Sequence, residues 1–461
     1  MSPASPDPVL LAARIGGLPR ADWMGRVTKV VGLVVESTGP ECSVGEQMLI
    51  HGMDPRGGPR LIHAEVVGFS GQRVLLMPIE ETEGIRPGLW VEGTGHQSEL
   101  PLAEALLGRV IDPLGRPLDG GPPIEATAHL PLQGPPPNPM RRKRINEVLS
   151  TGVRAVDGLL TLGKGQRVGI FAGSGVGKST LMGMVARNTS AQVNVITLVG
   201  ERGRELREFI ENDLGEEGLR RSVVVVSTSD QTPLLRLRCA MAGTTVAEYF
   251  MRQGRDVLLM MDSVTRFAMA QREVGLSAGE PPSSRGYTPS VFALLPRLME
   301  RAGTFEGMGS ITGIYTVLVE GDDMNEPISD AVRGILDGHI VLSRKLASKN
   351  HFPAIDVLAS LSRLFSALAP PEQKQLASKL RDLMATYQDA EDLIQIGAYT
   401  KGSSAAIDQA IQFQPAIQAY LRQATAEAAD HRQAMLAMGQ IFGIDLTPFL
   451  KVPNPAPTRP R

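Results

Sequence analysis

The spacing of hydrophobic positions changes character three times along the chain. Short β-branched runs at residues 27–37, 47–51, 61–69 and 73–78 are broken by Gly, Pro and Asp, the pattern of a small β-barrel. Residues 108–120 are dense in turn formers and lead through the proline-rich 134–139 into a helix-like 144–151. Between about 150 and 365, continuous apolar runs alternate with segments of helical period, which predicts a parallel sheet with helices on both faces. From Ala369 onward β-branched runs vanish and Ala, Gln, Leu and Met recur at helical spacing. The expected fold is therefore multidomain: a β-barrel at 25–95, a connecting segment at 96–150, an α/β core at 151–368 and a helical domain at 369–450. A flexible segment at 1–24, with a possible apolar-faced helix at 9–15, and a proline-rich disordered tail at 451–461 complete the chain.

In an open parallel sheet, ligands gather beyond the C-terminal strand ends, so polar residues that follow apolar runs are the informative ones. Residues 166–180 read as a buried strand, a glycine-rich turn and a helix start. Gly173, Gly175 and Gly177 let the backbone curl until successive N–H groups face inward, and a helix opening at Lys178 adds its positive dipole end. This is a phosphate cradle formed by Gly173, Ser174, Gly175, Val176, Gly177 and Thr180. Lys178 would reach the β- and γ-phosphates, and the Ser179 hydroxyl would bind Mg²⁺. Ala172 stands where the pattern's first glycine belongs.

Two further runs end in chemistry. Residues 193–199 end in Gly200, Glu201 and Arg202, followed by an amphipathic helix with Leu206, Phe209, Ile210 and Leu214 on one face. Residues 256–261 end in Asp262, a carboxylate suited to supporting Mg²⁺ through its water shell. Glu201, expected on a strand beside the loop strand, can polarise a water for in-line attack on a γ-phosphate, or simply complement the dipole of the helix it opens. Arg202, Arg204, Glu205 and Arg266 either neutralise phosphate charge and order magnesium waters, or pin the loops as an ion-pair network.

Composition narrows the classes. Lys+Arg 47 against Asp+Glu 49 weighs against broad nucleic-acid binding. No apolar run approaches the roughly 18 residues of a spanning helix, and residues 1–24 carry prolines and Asp7 instead of a basic leader, so a cytoplasmic protein is expected. Cys42 and Cys239 stand alone, and the seven histidines are scattered without metal-ligand spacing. The basic run 141–144 reads as a solvated linker face, with nucleic acid or lipid headgroups as the other option.

Residues 108–120, the phosphate loop, Gly200–Arg202, 258–262 and 353–362 together resemble the rotary ATPase family of ATP synthase α and β subunits. Within it, 199–205, 262–273, 279–282, 285–293 and 320–323 resemble the type III secretion ATPases, the flagellar branch most closely. The resemblance spans about 25–365, and the helical C-terminus more loosely. It implies a β-barrel, a RecA-like P-loop ATPase core and a helical domain, assembled as a homohexamer with ATP and Mg²⁺ between subunits.

By the same resemblance Lys178 and Ser179 bind phosphate and metal, Glu201 activates water, and Asp262 supports the metal. Glu205 and Arg202 match positions near the magnesium waters and phosphate. Arg363 matches the arginine that a neighbouring subunit inserts at the γ-phosphate, and Phe352 takes the place of a tyrosine, stacking on adenine or packing in the core. The implied function is ATP hydrolysis that energises export of flagellar proteins, by substrate release and unfolding at an export gate. The implied partners are a stator-like regulator, a central stalk protein, the export gate and chaperone–substrate complexes, with peripheral contact at the inner face of the cell membrane and no nucleic acid. The segment 9–15 would meet the regulator and acidic lipids. Alternatives are an injectisome ATPase, a non-catalytic nucleotide-binding subunit, which would carry an amide where Glu201 stands, and a nucleic-acid translocase on the same core.

Overall fold

The computed structural model describes residues 24–54, 58–134, 137–319 and 323–449. The segment 9–15, residues 320–322 of the 320–323 motif and the tail 451–461 lie outside them. Six strands, β1 (Met24–Val31), β2 (Val34–Ser37), β3 (Glu46–Met53), β4 (Pro59–Ser70), β5 (Arg73–Pro78) and β6 (Trp90–Gln97), close into a barrel in the order β1-β2-β5-β4-β3-β6. Its interior is filled by alternate residues such as Val35, Met48, Ile50, Ile62, Val66, Leu76 and Val91. The apolar run at 27–37 is two strands, because Gly32 at φ +56° turns the chain between Val31 and Val34, which pair directly. β6 gave no sequence signal, since its two glycines and polar residues interrupt the alternation.

The rest of the described chain forms a second compact unit, apart from residues 274–280. Short strands β7 (Glu99–Leu102) and β9 (Ala128–Pro131) pair in the connecting segment, which also supplies β8 (Val110–Ile111) to the main sheet. The helix expected at 144–151 is absent. Val148 and Leu149 form β10 instead, paired with β11 (Leu162–Gly163). The main sheet also contains β12 (Arg167–Ala172), β13 (Val193–Glu201), β14 (Ser222–Thr228), β15 (Asp256–Asp262), β17 (Ser310–Leu318), β18 (Gly338–Leu342) and β19 (Ile355–Ser362), with β16 (Gly303–Thr304) hung on β17. The order is β19-β18-β12-β17-β15-β13-β14-β8, parallel except for β16 and β19.

Both faces of this sheet are buried. Ile196, Leu198, Val224, Val226, Leu258 and Met260 join one core with helix α1 (Lys178–Asn188), while their sequence neighbours Val195, Val223, Val225 and Leu259 point to the other face, also without solvent. The expected single amphipathic helix after Glu201 is α2 (Gly203–Glu208), then one π-helical turn at Phe209–Leu214, then a further α-turn at Gly215–Arg220. The π-turn still buries Phe209 and Leu214. Helix α3 (Pro233–Arg252) backs onto β13, and α4 (Val264–Ser277) starts just after β15. The C-terminal helices α5 (Pro371–Gln395), α6 (Ala405–Leu421) and α7 (His431–Ile441) share the core of the α/β layers, through Leu376, Leu380, Ile417, Tyr420 and Met435 against Val156 and Leu159.

Close helix packing is set by Gly183 on α1. A Cβ there would lie 2.6 Å from the Asp213 carbonyl oxygen and 2.7 Å from its Cβ. Gly183→Ala should therefore destabilise by about 1–3 kcal/mol, although alanine favours an isolated helix by about 1 kcal/mol. A thermal melt that rises in the variant would contradict this packing account.

Candidate nucleotide site

The glycine-rich loop sits between the end of β12 and the start of α1, at the C-terminal edge of the parallel strands. Gly175 and Gly177 adopt φ +77° and +88°, conformations that a side chain would strain. Ala172 needs no such freedom. It is the last residue of β12, paired with Leu318 and Leu342, so its backbone is extended and its methyl group is buried in the core. The departure from the loop pattern thus falls where any small residue fits. Ser174 and Gly175 are exposed, Val176 is buried beneath them, and Ser179 lies exposed in the first turn of α1. Thr180 faces inward instead, hydrogen-bonded to Asp213.

Lys178 and Asp262 are brought into direct contact, the ammonium donating to Asp262 Oδ1. Thr316 on β17 donates its hydroxyl to the same oxygen at 2.7 Å. The Asp262 carboxylate is nearly inaccessible to water, and this cation and this hydrogen bond take the place of the solvent it has lost.

Glu201 ends β13, 7% exposed, and its aim comes from a bulge. The register with β14 shifts between Val199 and Glu201, and Gly200 absorbs it at φ +66°. Arg266, in the first turn of α4, donates to the Gly200 carbonyl and lies 3.3 Å from Glu201 Oε2. Burial, and then the negative charge of Asp262, push the Glu201 carboxyl up to about 7, against the opposing pull of Lys178 and Arg266. A carboxyl poised near neutrality beside a phosphate cradle can act as a base at physiological pH.

The sheet order revises one expectation. Glu201's strand is not next to the loop strand, because β17 and β15 lie between β12 and β13. The crossovers skip strands, so sequence order cannot reveal adjacency, yet all these ends open on one edge and the groups still converge. Arg202 and Glu205 pair with each other at 3.4 Å on an exposed surface, and Arg204 pairs with Glu208. Glu205 also hydrogen-bonds Glu201, which ties the start of α2 to the buried carboxyl.

Strand β19 runs against the others and so separates two residues that sequence placed together. Phe352 precedes it, with its ring carbons 3.5 Å from where a Cβ on Gly177 would stand. The ring is 41% exposed, which removes it from the core. Arg363 follows the last residue of β19, and Ser362 pairs with Gly338 at the start of β18, the edge opposite the phosphate loop. Eight residues of strand span roughly 26 Å, so Arg363 is out of reach of its own chain's loop. Its side chain is exposed, available only to something outside the chain.

Comparison with known proteins agrees with this architecture. Residues 152–362 match the nucleotide-binding domain of the ATP synthase alpha/beta family, 27–95 its beta-barrel domain, and 369–440 the T3SS EscN ATPase C-terminal domain. The flagellum-specific ATP synthase of Bacillus subtilis is 56% identical over 91% of this chain and 95% of its own length. The type 3 secretion system ATPase of Xanthomonas euvesicatoria is 53% identical over 89% and 92%. Among solved structures, the assembled ATPase EscN of the enteropathogenic E. coli type III secretion system superposes with a TM-score of 0.85 at 43% identity, covering 90% of this chain and 99% of that one. EscN in complex with its central stalk EscO gives 0.82 at 42%, with the same coverage.

An exposed aromatic ring beside the loop is free to stack on a base without supporting the fold. Phe352→Ala should weaken binding of a fluorescent adenine nucleotide about tenfold, the equivalent of about 1.4 kcal/mol, with an unchanged melting temperature. Equal affinity in the variant would remove the ring from the site.

Proposed function

This chain belongs to the ATP synthase alpha/beta family, and we propose that within it the protein is the flagellar export motor, hydrolysing ATP with Mg²⁺ as a homohexamer. The observation that carries the catalytic half is Glu201, an ionisable carboxyl held by a bulge beside Asp262 and Lys178. A non-catalytic subunit would have no use for it.

The donor set fits a small hard cation that keeps much of its water. Ser179 offers an exposed hydroxyl and Asp262 a carboxylate, while no group of three His, Cys, Asp or Glu among the described residues could hold a metal alone. Bound there with the substrate, Mg²⁺ would neutralise charge on the β- and γ-phosphates. Ser179 would hold it directly and Asp262 through water, with Glu205 near the same waters.

Lys178 then has a choice of anions. In the free protein it neutralises Asp262, and an arriving triphosphate would offer it a larger charge, so Lys178 would be drawn to phosphate and the Asp262 carboxylate would be left to hold the cation. The N–H groups of Gly173–Thr180 cradle the phosphates, Phe352 covers the base, and Glu201 orients the attacking water and takes its proton. Arg363 stabilises the γ-phosphate of a neighbour, with Arg202 completing the phosphate contacts. The exposed position of Arg363, on the edge away from its own loop, supports this sharing.

The flagellar reading rests on 269–273 and 322–327 of the sequence, and on the flagellum-specific relative from Bacillus subtilis at 56% identity, against 53% for the Xanthomonas euvesicatoria secretion ATPase. A central stalk, a stator-like regulator, the export gate and chaperone–substrate complexes are the partners proposed. No described helix is long and apolar enough to cross a membrane; the location proposed is cytoplasmic, with peripheral contact at the inner face of the cell membrane.

Glu201→Gln should lower kcat by about 10²–10⁴-fold while ATP-analogue affinity is retained, and retained turnover would remove Glu201 from its role. Only the ionised carboxylate can accept a proton, and its folded value is raised to about 7. kcat/KM should therefore be at full value above that pH and fall as pH drops through it. Affinity purification from the native cell should recover flagellar stalk and regulator proteins. Recovery of injectisome counterparts instead would move the protein to the other branch.

A further inference from the structure

The backbone that carries Arg363 is held by a buried polar seat that the catalytic reading does not use. Gln166, fully buried, lies just before β12. Its amide oxygen accepts the Gly163 N–H at 2.9 Å, and its amide nitrogen donates to the Asp337 carbonyl at 3.1 Å and to the Ser362 hydroxyl at 3.0 Å. The Asp337 carbonyl also accepts the Arg363 N–H at 3.0 Å, so one oxygen joins the glutamine to the arginine. Ser362 donates its own hydroxyl to the Thr161 carbonyl at 3.1 Å.

Asp337 is itself clamped. Its carboxylate takes a forked contact from the Arg167 guanidinium, 3.2 Å to Nε and 3.4 Å to Nη2, and accepts the Arg167 N–H at 3.1 Å. Arg167 also pairs with Glu300, which accepts Arg142 at 2.8 Å. Arg142, from the basic run expected to be a solvated face, is thus half-buried structure, while Arg141, Lys143 and Arg144 are exposed. Opposite, a Cβ on Gly338 would stand 2.5 Å from the Leu361 carbonyl oxygen, so the turn at Asp337 presses against the end of β19.

We propose that Gln166 and the Arg167–Asp337 pair are positioning residues for Arg363, fixing the backbone from which that arginine reaches the neighbouring subunit's nucleotide. The proposal rests on the trans role of Arg363 given above. A buried amide with all its hydrogen bonds met specifies one geometry, and an arginine displaced by about 1 Å can lose on the order of 10²-fold in rate. Gln166 immediately precedes β12 and Arg167 begins it, and the other end of that strand enters the chain's own phosphate loop, so one strand fixes the site that a subunit owns and the residue that it lends.

The test mixes full-length subunits. Asp337→Asn removes the ion pair and keeps the shape, and Gln166→Leu removes the buried amide. Each should form hexamers and bind an ATP analogue within about threefold of the parent, with kcat down about 10–100-fold and KM unchanged. Added Lys178→Ala subunits have a dead loop but an intact arginine seat, so mixed rings should regain turnover at the variant subunits' sites. Arg363→Ala is the control. If mixing does not rescue Arg363→Ala, the trans reading of that arginine fails. If mixing rescues Arg363→Ala but neither Asp337→Asn nor Gln166→Leu, those residues act on their own chain's site or on folding, and the positioning role is overturned. Parental kcat in both variants would overturn it equally.

Discussion

A carboxylate that water cannot reach must find its counter-charge in the protein, and Asp262 sets that condition for this site. Lys178 and the Thr316 hydroxyl meet it, which draws the phosphate loop, β15 and β17 to one point. Glu201 stands in the same field. Beside the Asp262 carboxylate a second buried negative charge is costly, and Lys178 and Arg266 offset only part of that cost. Lys178, paired with Asp262, is the cation that both carboxylates feel.

Geometry supports the same economy. The bulge at Gly200 turns Glu201 toward the edge, and Arg266 secures the bulge through the Gly200 carbonyl while facing the carboxylate. A Cβ on Gly200 would stand 3.4 Å from side-chain carbons of both Arg236 and Arg266, so the turn is covered by two arginines. A similar logic explains 353–362. Asp356 accepts the Ala359 N–H at 3.0 Å, and the Ser360 hydroxyl accepts the Val341 N–H at 3.0 Å, stitching the irregular pairing of β18 with β19. Ser362 then enters the seat of Arg363. The polar residues of that segment serve its backbone.

Much of the site was legible because its residues obey a local rule. Lys178, Glu201 and Asp262 each follow an apolar run, and the loop glycines mark their own turn. What was not legible depends on distant partners. The strand order between β12 and β13 is set by crossovers and leaves no local trace. Gln166 and Asp337 lie 171 positions apart and look like ordinary polar residues until the sheet joins them. Arg142 was hidden in a charge run whose other members are solvated. β6 and the strand at Val148–Leu149 were missed because glycines blurred the one and too few residues defined the other, while the π-turn at Phe209–Leu214 preserved an apolar face that suggested an unbroken helix.

The reversed direction of β19 has a consequence for inheritance. In the proposed shared site, a change near Phe352 would alter the pocket of the chain that carries it, whereas a change at Arg363 would be felt at a neighbour's. In a ring of identical chains the two ends are bound to the same fate. After a gene duplication they need not be: one copy could keep the loop and let the arginine drift, the other could do the reverse, and alternate sites in the mixed ring would still turn over. A single antiparallel strand at the edge of a parallel sheet is enough to make such a division of labour possible.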